Sequence, residues 1–158
     1  MIENRRFALQ PIFDPFVETK QQGPYIKWQG DLVSTSYGMG EAAYDIRLAA
    51  PVTLIAGRMV FGLSLEHIAV PDNLRARCDD KSTNLRLGLR VAGRAEPGWH
   101  GHLTLELMYI PVEGSPSVLD LPAGWGIAAM EFAQLAGSVS VYPPDGKYQG
   151  SMEIMGAR

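Results

Sequence analysis

The chain has 158 residues, 46% hydrophobic and 20% charged, with a formal net charge of -3. That balance excludes a disordered chain, and it excludes a protein that coats nucleic acid, because such proteins need a broad basic surface to displace counterions. No apolar run reaches the length of a membrane span, and MIENRRFALQPIFDPF interrupts with charges and prolines the apolar region a secretion signal would need. The expected protein is therefore cytoplasmic, with no membrane and no nucleic-acid partner. Its length suits one domain over residues 1–158, and its single cysteine, Cys78, allows no internal disulfide.

Taken in order, residues 1–40 open with Pro11, Pro15, Gly23 and Pro24 and show no sustained period, so an irregular arm with at most short strands is expected. Its apolar residues, Phe7, Leu9, Ile12, Phe13, Phe16 and Tyr25, are too many for a solvated tail and predict docking against the domain or a neighbouring subunit. Tyr44 to Leu48 alternates as a strand. Two apolar, β-branched runs between Val52 and Val70, divided by Ala56-Gly57, read as a hairpin. A turn is expected at Pro71-Asp72-Asn73, a charged turn around Lys81 to Arg86, and a long alternating strand over residues 100–109. After a polar loop at residues 112–117 and a turn at Pro122-Ala123-Gly124, SVSVY at residues 138–142 alternates again. The glycine-rich and proline-rich segment 143–158 is expected to be flexible until something orders it. Strands punctuated by turns, with no amphipathic helix longer than two turns, predict an all-β sandwich or barrel.

Within residues 100–109, Leu103, Leu105 and Leu107 share one face, and His102, Thr104 and Glu106 the other. On periodicity alone Glu106 reads as a solvated carboxylate on the outer face. His100, His102 and Glu106 also offer two imidazoles and a carboxylate to a divalent metal, although the third histidine, His67, lies in no motif. A zinc-dependent nucleobase deaminase needs a Pro-Cys-x-x-Cys that a chain with one cysteine cannot supply, so zinc is not expected. Lys81, Ser82, Thr83 and Arg86 bring an ammonium, two hydroxyls and a guanidinium together in a short span. That set can gather phosphate oxygens, and it can equally be a solvated turn.

Four blocks resemble the family of dCTP deaminases and the related dUTP pyrophosphatases. YDIRLA near residue 44 is similar to the family's Y-D-L-R-L-G, and LEHIAVPDNLRARCDDKSTNLRLGL at residues 65–89 to its segment ending G-R-S-S-L-A-R-L-G-L. RAEPGWHGHLTLEL at residues 94–107 resembles R-I-D-P-G-W-x-G-x-I-x-L-E-L, and DGKYQG at residues 145–150 its C-terminal G-K-Y-Q-G. The resemblance implies a dUTPase-like distorted jelly roll or β-barrel (β-clip). It implies a homotrimer with sites at subunit interfaces, and a mobile C-terminal segment that closes over a deoxynucleoside triphosphate. It further implies that Glu106 is the proton shuttle of a metal-free deamination, with Ser82 orienting the water and Arg86 holding the carboxylate. Lys81, Thr83, Lys147, Tyr148 and Gln149 would meet the nucleotide, Glu96 the deoxyribose 3′-hydroxyl, and Mg²⁺ would arrive on the triphosphate.

The chain departs from this pattern in places. Lys81 stands where the family has arginine, Asp80 where it has glycine, and Glu96 where the pyrophosphatase branch has the aspartate that activates water. An extra methylene at that aspartate moves the carboxylate far enough to cost about 10²-fold, which disfavours hydrolysis. Ala129 stands where many pyrophosphatases carry glutamine. The expected activity is therefore deamination of dCTP or a related cytosine nucleotide. The alternatives are dUTP pyrophosphatase chemistry through Glu96 and a nucleotide-binding module without catalysis.

Overall fold

A computed structural model describes residues 9–137 and 140–157. The strands are β1 Phe13–Asp14, β2 Gln21–Trp28, β3 Asp31–Met39, β4 Tyr44–Arg47, β5 Val52–Ile55 and β6 Met59–Ala69. They continue with β7 Leu74–Asp79, β8 Leu89–Ala92, β9 Arg94–Ala95, β10 His100–Tyr109, β11 Val118–Leu121 and β12 Gly126–Gln134, and one short helix, α1 Ser82–Leu87, lies between β7 and β8. They form sheets ordered β1-β6-β10-β8, β11-β5 and β2-β3-β4-β12-β7-β9. The all-β expectation is met.

Alternation decides which side chains enter the core. On β10, Leu103, Leu105, Leu107 and Tyr109 are buried while His102, Thr104, Glu106 and Met108 are only partly so. Trp125, Tyr44, Ile46, Leu48, Leu54 and Ile68 complete a fully buried interior between the sheets. Each buried aliphatic side chain of this size contributes roughly 1.5–3 kcal/mol. The sheets are stitched where Leu48 of the first half bridges Ser64 on β6. Ser64 Oγ also accepts the Leu103 N–H at 2.8 Å, which satisfies a buried donor at the irregularity in the β6–β10 ladder between His102 and Thr104.

Three expectations need correction. Residues 21–39 are not an irregular arm but a hairpin of β2 and β3, whose register shifts between Gln22 and Tyr25, where Gly23-Pro24 sits. A proline cannot donate to a ladder, and the bulge absorbs it. β5 and β6 are strands as expected but not partners: β5 pairs with β11, whereas β6 pairs with β10 and β1. Ser140 to Tyr142 is not a strand, and the rest of that expected strand, residues 138 and 139, lies outside the described residues, as does Phe7. Among the described residues no helix is long and apolar enough to cross a membrane.

Candidate active site

Glu106 sits in the middle of the three-strand ladder, opposite Phe61 on β6 and Ala92 on β8. It lines a cleft of about 910 Å³. Thr104 shares its side of β10, and Trp99, Tyr142 and Tyr148 supply aromatic wall. Glu96 lies in the same cleft, at the turn closed by Trp99 N–H donating to Glu96 O at 3.0 Å. Its carboxylate is 3.4 Å from the Arg94 guanidinium. Cys78 lines the cleft too, and its thiol is pushed up to about 12 by burial first, then by the charges of Glu106 and Asp79. It is therefore a neutral, unreactive wall at physiological pH.

The second cluster lies around α1. Lys81, in extended conformation, precedes the helix, and Gly88 closes it in the left-handed region at φ 95°, its N–H donating to Leu85 O. A Cβ at Gly88 would stand 2.3 Å from Ile110 O, so no other residue fits without displacing the helix from the end of β10. Ser82 is exposed at the first turn, Arg86 exposed in the last, and Thr83 half-buried. Asn84 is buried at 1% exposure. Its amide donates to Gly126 O and Ile127 O at 3.0 Å each, and its carbonyl accepts the Trp125 indole N–H at 2.9 Å. This side chain, rather than the charged ones, bolts the helix to β12.

Lys81 does not point outward. Its side chain is 9% exposed, its ammonium is paired with the buried Asp45 carboxylate, and it donates to Ser36 Oγ at 3.4 Å. Burial pushes the ammonium below its usual value, and Asp45 opposes that shift. Asp80, the charge standing where the resemblance expects glycine, is also neutralised locally. Its carboxylate accepts Val91 N–H at 2.8 Å and Arg90 Nε at 2.7 Å, tying the turn before α1 to β8.

Segment 140–157 is not free. Tyr142 N–H donates to Pro97 O at 2.6 Å, Trp99 Nε1 to Tyr148 O at 2.9 Å, and Gly150 N–H to His100 O at 2.8 Å. The Gln149 side chain accepts His100 N–H at 2.8 Å and donates to Gly98 O at 3.0 Å. Lys147 is exposed. Within one chain the structure thus brings together Glu106, Glu96 and Tyr148. It holds Gln149 against the neighbouring turn and places Lys81, Ser82, Thr83 and Arg86 on a separate cluster, since none of these four lines the cleft.

Sequence reasoning missed Asn84, Asp45 and Trp99 as positioning groups. The only signal for Asn84 is its helical spacing from Leu87, and the period is too short to see before the helix is known. The three histidines do gather, with the His67 ring 5.7 Å from His100 and 5.6 Å from His102, but among the described residues no His, Cys, Asp and Glu group is arranged to hold a metal.

A family model described as dCTP deaminase-like matches residues 40–135. The chain is similar to the dCTP deaminase of Marinomonas sp., 32% identical over 114 residues, which is 68% of this chain and 57% of that one. It is 36% identical to the dCTP deaminase of Photorhabdus laumondii over 85 residues, covering 52% of this chain and 42% of that one. It is 47% identical to a dUMP-forming dCTP deaminase of Mycobacterium tuberculosis over 60 residues, covering 36% and 32%. The chain thus spans from about a third to little more than half of these relatives. Solved structures share the fold. A dUTPase from phage phi11 of S. aureus has a TM-score of 0.54 at 12% identity, covering 82% of this chain and 98% of that one. The dUTPase of EIAV has 0.53 at 16%, covering 80% and 97%.

Proposed function

The chain belongs to the dCTP deaminase-like family, and from that premise we propose that it deaminates dCTP, or a related cytosine deoxynucleotide, to the uracil nucleotide and ammonia. The observation that carries the proposal is the placement of Glu106 in a cleft walled by aromatic side chains large enough for a nucleotide base. Glu106 takes a proton from water as the oxygen adds to C4 of the ring. It delivers that proton to N3, then takes the proton of the new C4 hydroxyl and passes it to the amino group, which leaves as ammonia as the C4–N bond breaks and the C4 carbonyl forms, so water and dCTP give dUTP and ammonia.

Ser82 and Arg86 do not reach this cleft within one chain. The proposed arrangement is a homotrimer in which a second copy presents its α1 residues to Glu106, with Lys147, Tyr148 and Gln149 contributing from the docked segment. Exposed Met59, Phe61, Leu85, Ile110 and Val112 supply apolar surface for such contacts. Lys81 and Thr83 would then approach the phosphates, Lys81 exchanging its Asp45 partner. Among the described residues nothing forms a metal cage, so Mg²⁺ would enter on the substrate's phosphates, where it screens their charge.

A second reading is favoured by the dUTPase neighbours and the dUMP-forming relative: Glu96, in the same cleft, activates water for cleavage to dUMP. Incubating the protein with a panel of deoxynucleotides and Mg²⁺, with products resolved by chromatography, separates the two. Glu106→Gln is expected to lower ammonia release by about 10²–10⁴-fold while leaving the oligomer intact by light scattering. Full activity in that variant would sink the assignment.

A further inference from the structure

The ion pair that buries Lys81 has a third member. Asp45, buried on β4, presents one carboxylate oxygen, Oδ2, to three groups: the Lys81 ammonium, the Lys20 ammonium at 3.5 Å and the Ser36 hydroxyl at 3.3 Å. The two lysines reach it from different elements and in different surroundings. Lys81, just before α1, has a side chain 9% exposed, whereas that of Lys20, just before β2, is 54% exposed. Bare backbone seats the Lys20 stem, since a Cβ at Gly40 would stand 3.3 Å from Lys20 Cε and 3.4 Å from its Nζ. Burial pushes the Lys81 ammonium down, Asp45 opposes that shift, and the Lys20 charge adds to it. Taking the partner from a buried carboxylate is costly, because the charge left behind has neither water nor a counter-ion. Here a counter-ion for Asp45 is already in place if Lys81 leaves.

We propose that Lys20 is a positioning residue for anion binding: when Lys81 turns toward the phosphates of a nucleotide, Lys20 takes over the Asp45 carboxylate, so that Lys81 is released without stranding a buried charge. The inference rests on the reading above that Lys81 meets phosphate, and it assigns no contact between Lys20 and the nucleotide. A lysine at position 81 suits the exchange, because its ammonium is one point charge on a flexible stem and can change partners by rotation of that stem. Ser36 Oγ, which accepts from Lys81 at 3.4 Å and donates to Asp45 at 3.3 Å, stays beside the carboxylate in either arrangement.

Inorganic tripolyphosphate is the probe, titrated into the full chain by calorimetry, with thermal unfolding of each variant as the check on folding. Lys20→Gln is expected to weaken binding about tenfold, on the scale of one hydrogen bond to a charged group, and Lys20→Arg to restore it. Asp45→Asn removes the charge that holds Lys81, so binding should tighten. Adding Lys20→Gln to Asp45→Asn should change nothing further, because no carboxylate is left to neutralise. An equal loss from Lys20→Gln in both backgrounds overturns the proposal, since Lys20 would then be attracting the anion itself. A Lys20→Gln chain that binds like the parent overturns it too, as does a parent chain that binds no tripolyphosphate. A second measurement needs neither the anion nor an Asp45 variant. In Lys81→Met, Lys20 has Asp45 to itself, and its acetylation by a mild amine reagent, read by mass spectrometry, should slow severalfold; unchanged acetylation overturns the exchange. Full Lys20 dependence with tripolyphosphate, in a chain that deaminates no cytosine nucleotide, upholds the exchange and removes the proposed substrate.

Discussion

Replacing Asn84 by leucine keeps the side-chain volume and removes every polar bond it makes. Three groups lose a partner: the Trp125 indole N–H, Gly126 O and Ile127 O. Gly126 O keeps the Thr35 hydroxyl at 2.9 Å, so it is not orphaned. Trp125 is fully buried, and its single donor has nowhere else to go. An unsatisfied buried group costs about 1–3 kcal/mol. The indole and Ile127 O together give about 3 kcal/mol, a large part of a domain stability of about 5–15 kcal/mol. With a urea m-value of about 2 kcal/mol/M, the unfolding midpoint should fall by about 1.5 M. The assay is urea denaturation followed by far-ultraviolet circular dichroism, with variants compared at one protein concentration because association couples to stability. A midpoint lowered by less than about 0.5 M at unchanged m would refute the claim that Asn84 fastens α1 to β12.

Glu66 is fully buried and accepts the Arg47 N–H at 2.9 Å and Nε at 2.8 Å, with the Arg47 guanidinium 4.4 Å above the Tyr37 ring. Glu66→Ala leaves that guanidinium unpaired and should cost about 3–5 kcal/mol, read as a midpoint shift. Burial, then the neighbouring His102 and His100, lower the His67 value below 6.5 while Asp14 opposes them. As pH falls, the unfolded chain takes the proton first, so stability is full above 6.5 and is lost as pH drops through the folded value. Urea midpoints between neutral and mildly acidic pH should show this slope, and His67→Gln should flatten it. Asp80→Gly restores the residue the resemblance expects, yet it strips the acceptor from Val91 N–H and frees Arg90, and thermal unfolding should show a loss of about 1–2 kcal/mol.

What could be read from the sequence was local. The alternation of residues 102–109 placed Leu103, Leu105 and Leu107 inward and Glu106 on the opposite side, because a strand's period of two is written in consecutive residues. Partner choice is not written there. Val52–Ile55 and Met59–Ala69 carry the same apolar pattern whether they pair with each other or, as found, with β11 and β10. The β2–β3 hairpin was hidden by Pro24 in its bulge and by a Gln29-Gly30 turn with φ of 48° and 87°, a turn that asparagine-glycine would have announced. The docked segment was also unreadable, because its partners Trp99 and His100 lie about fifty residues away. Lys81 looked like a free cation because its partner, Asp45, sits on a distant strand.

The glycine that ends α1 sets more than a helix boundary. Because Gly88 O accepts Ile110 N–H at 2.7 Å and its missing side chain lets Ile110 O lie against it, the end of the helix is fastened directly to the end of the strand carrying Glu106. Bending a single chain to bring Ser82 and Glu106 together would have to break that fastening. In the proposed trimer, adjustment of their separation would be a rotation of whole copies, so surface substitutions between copies would be the place to search for altered turnover.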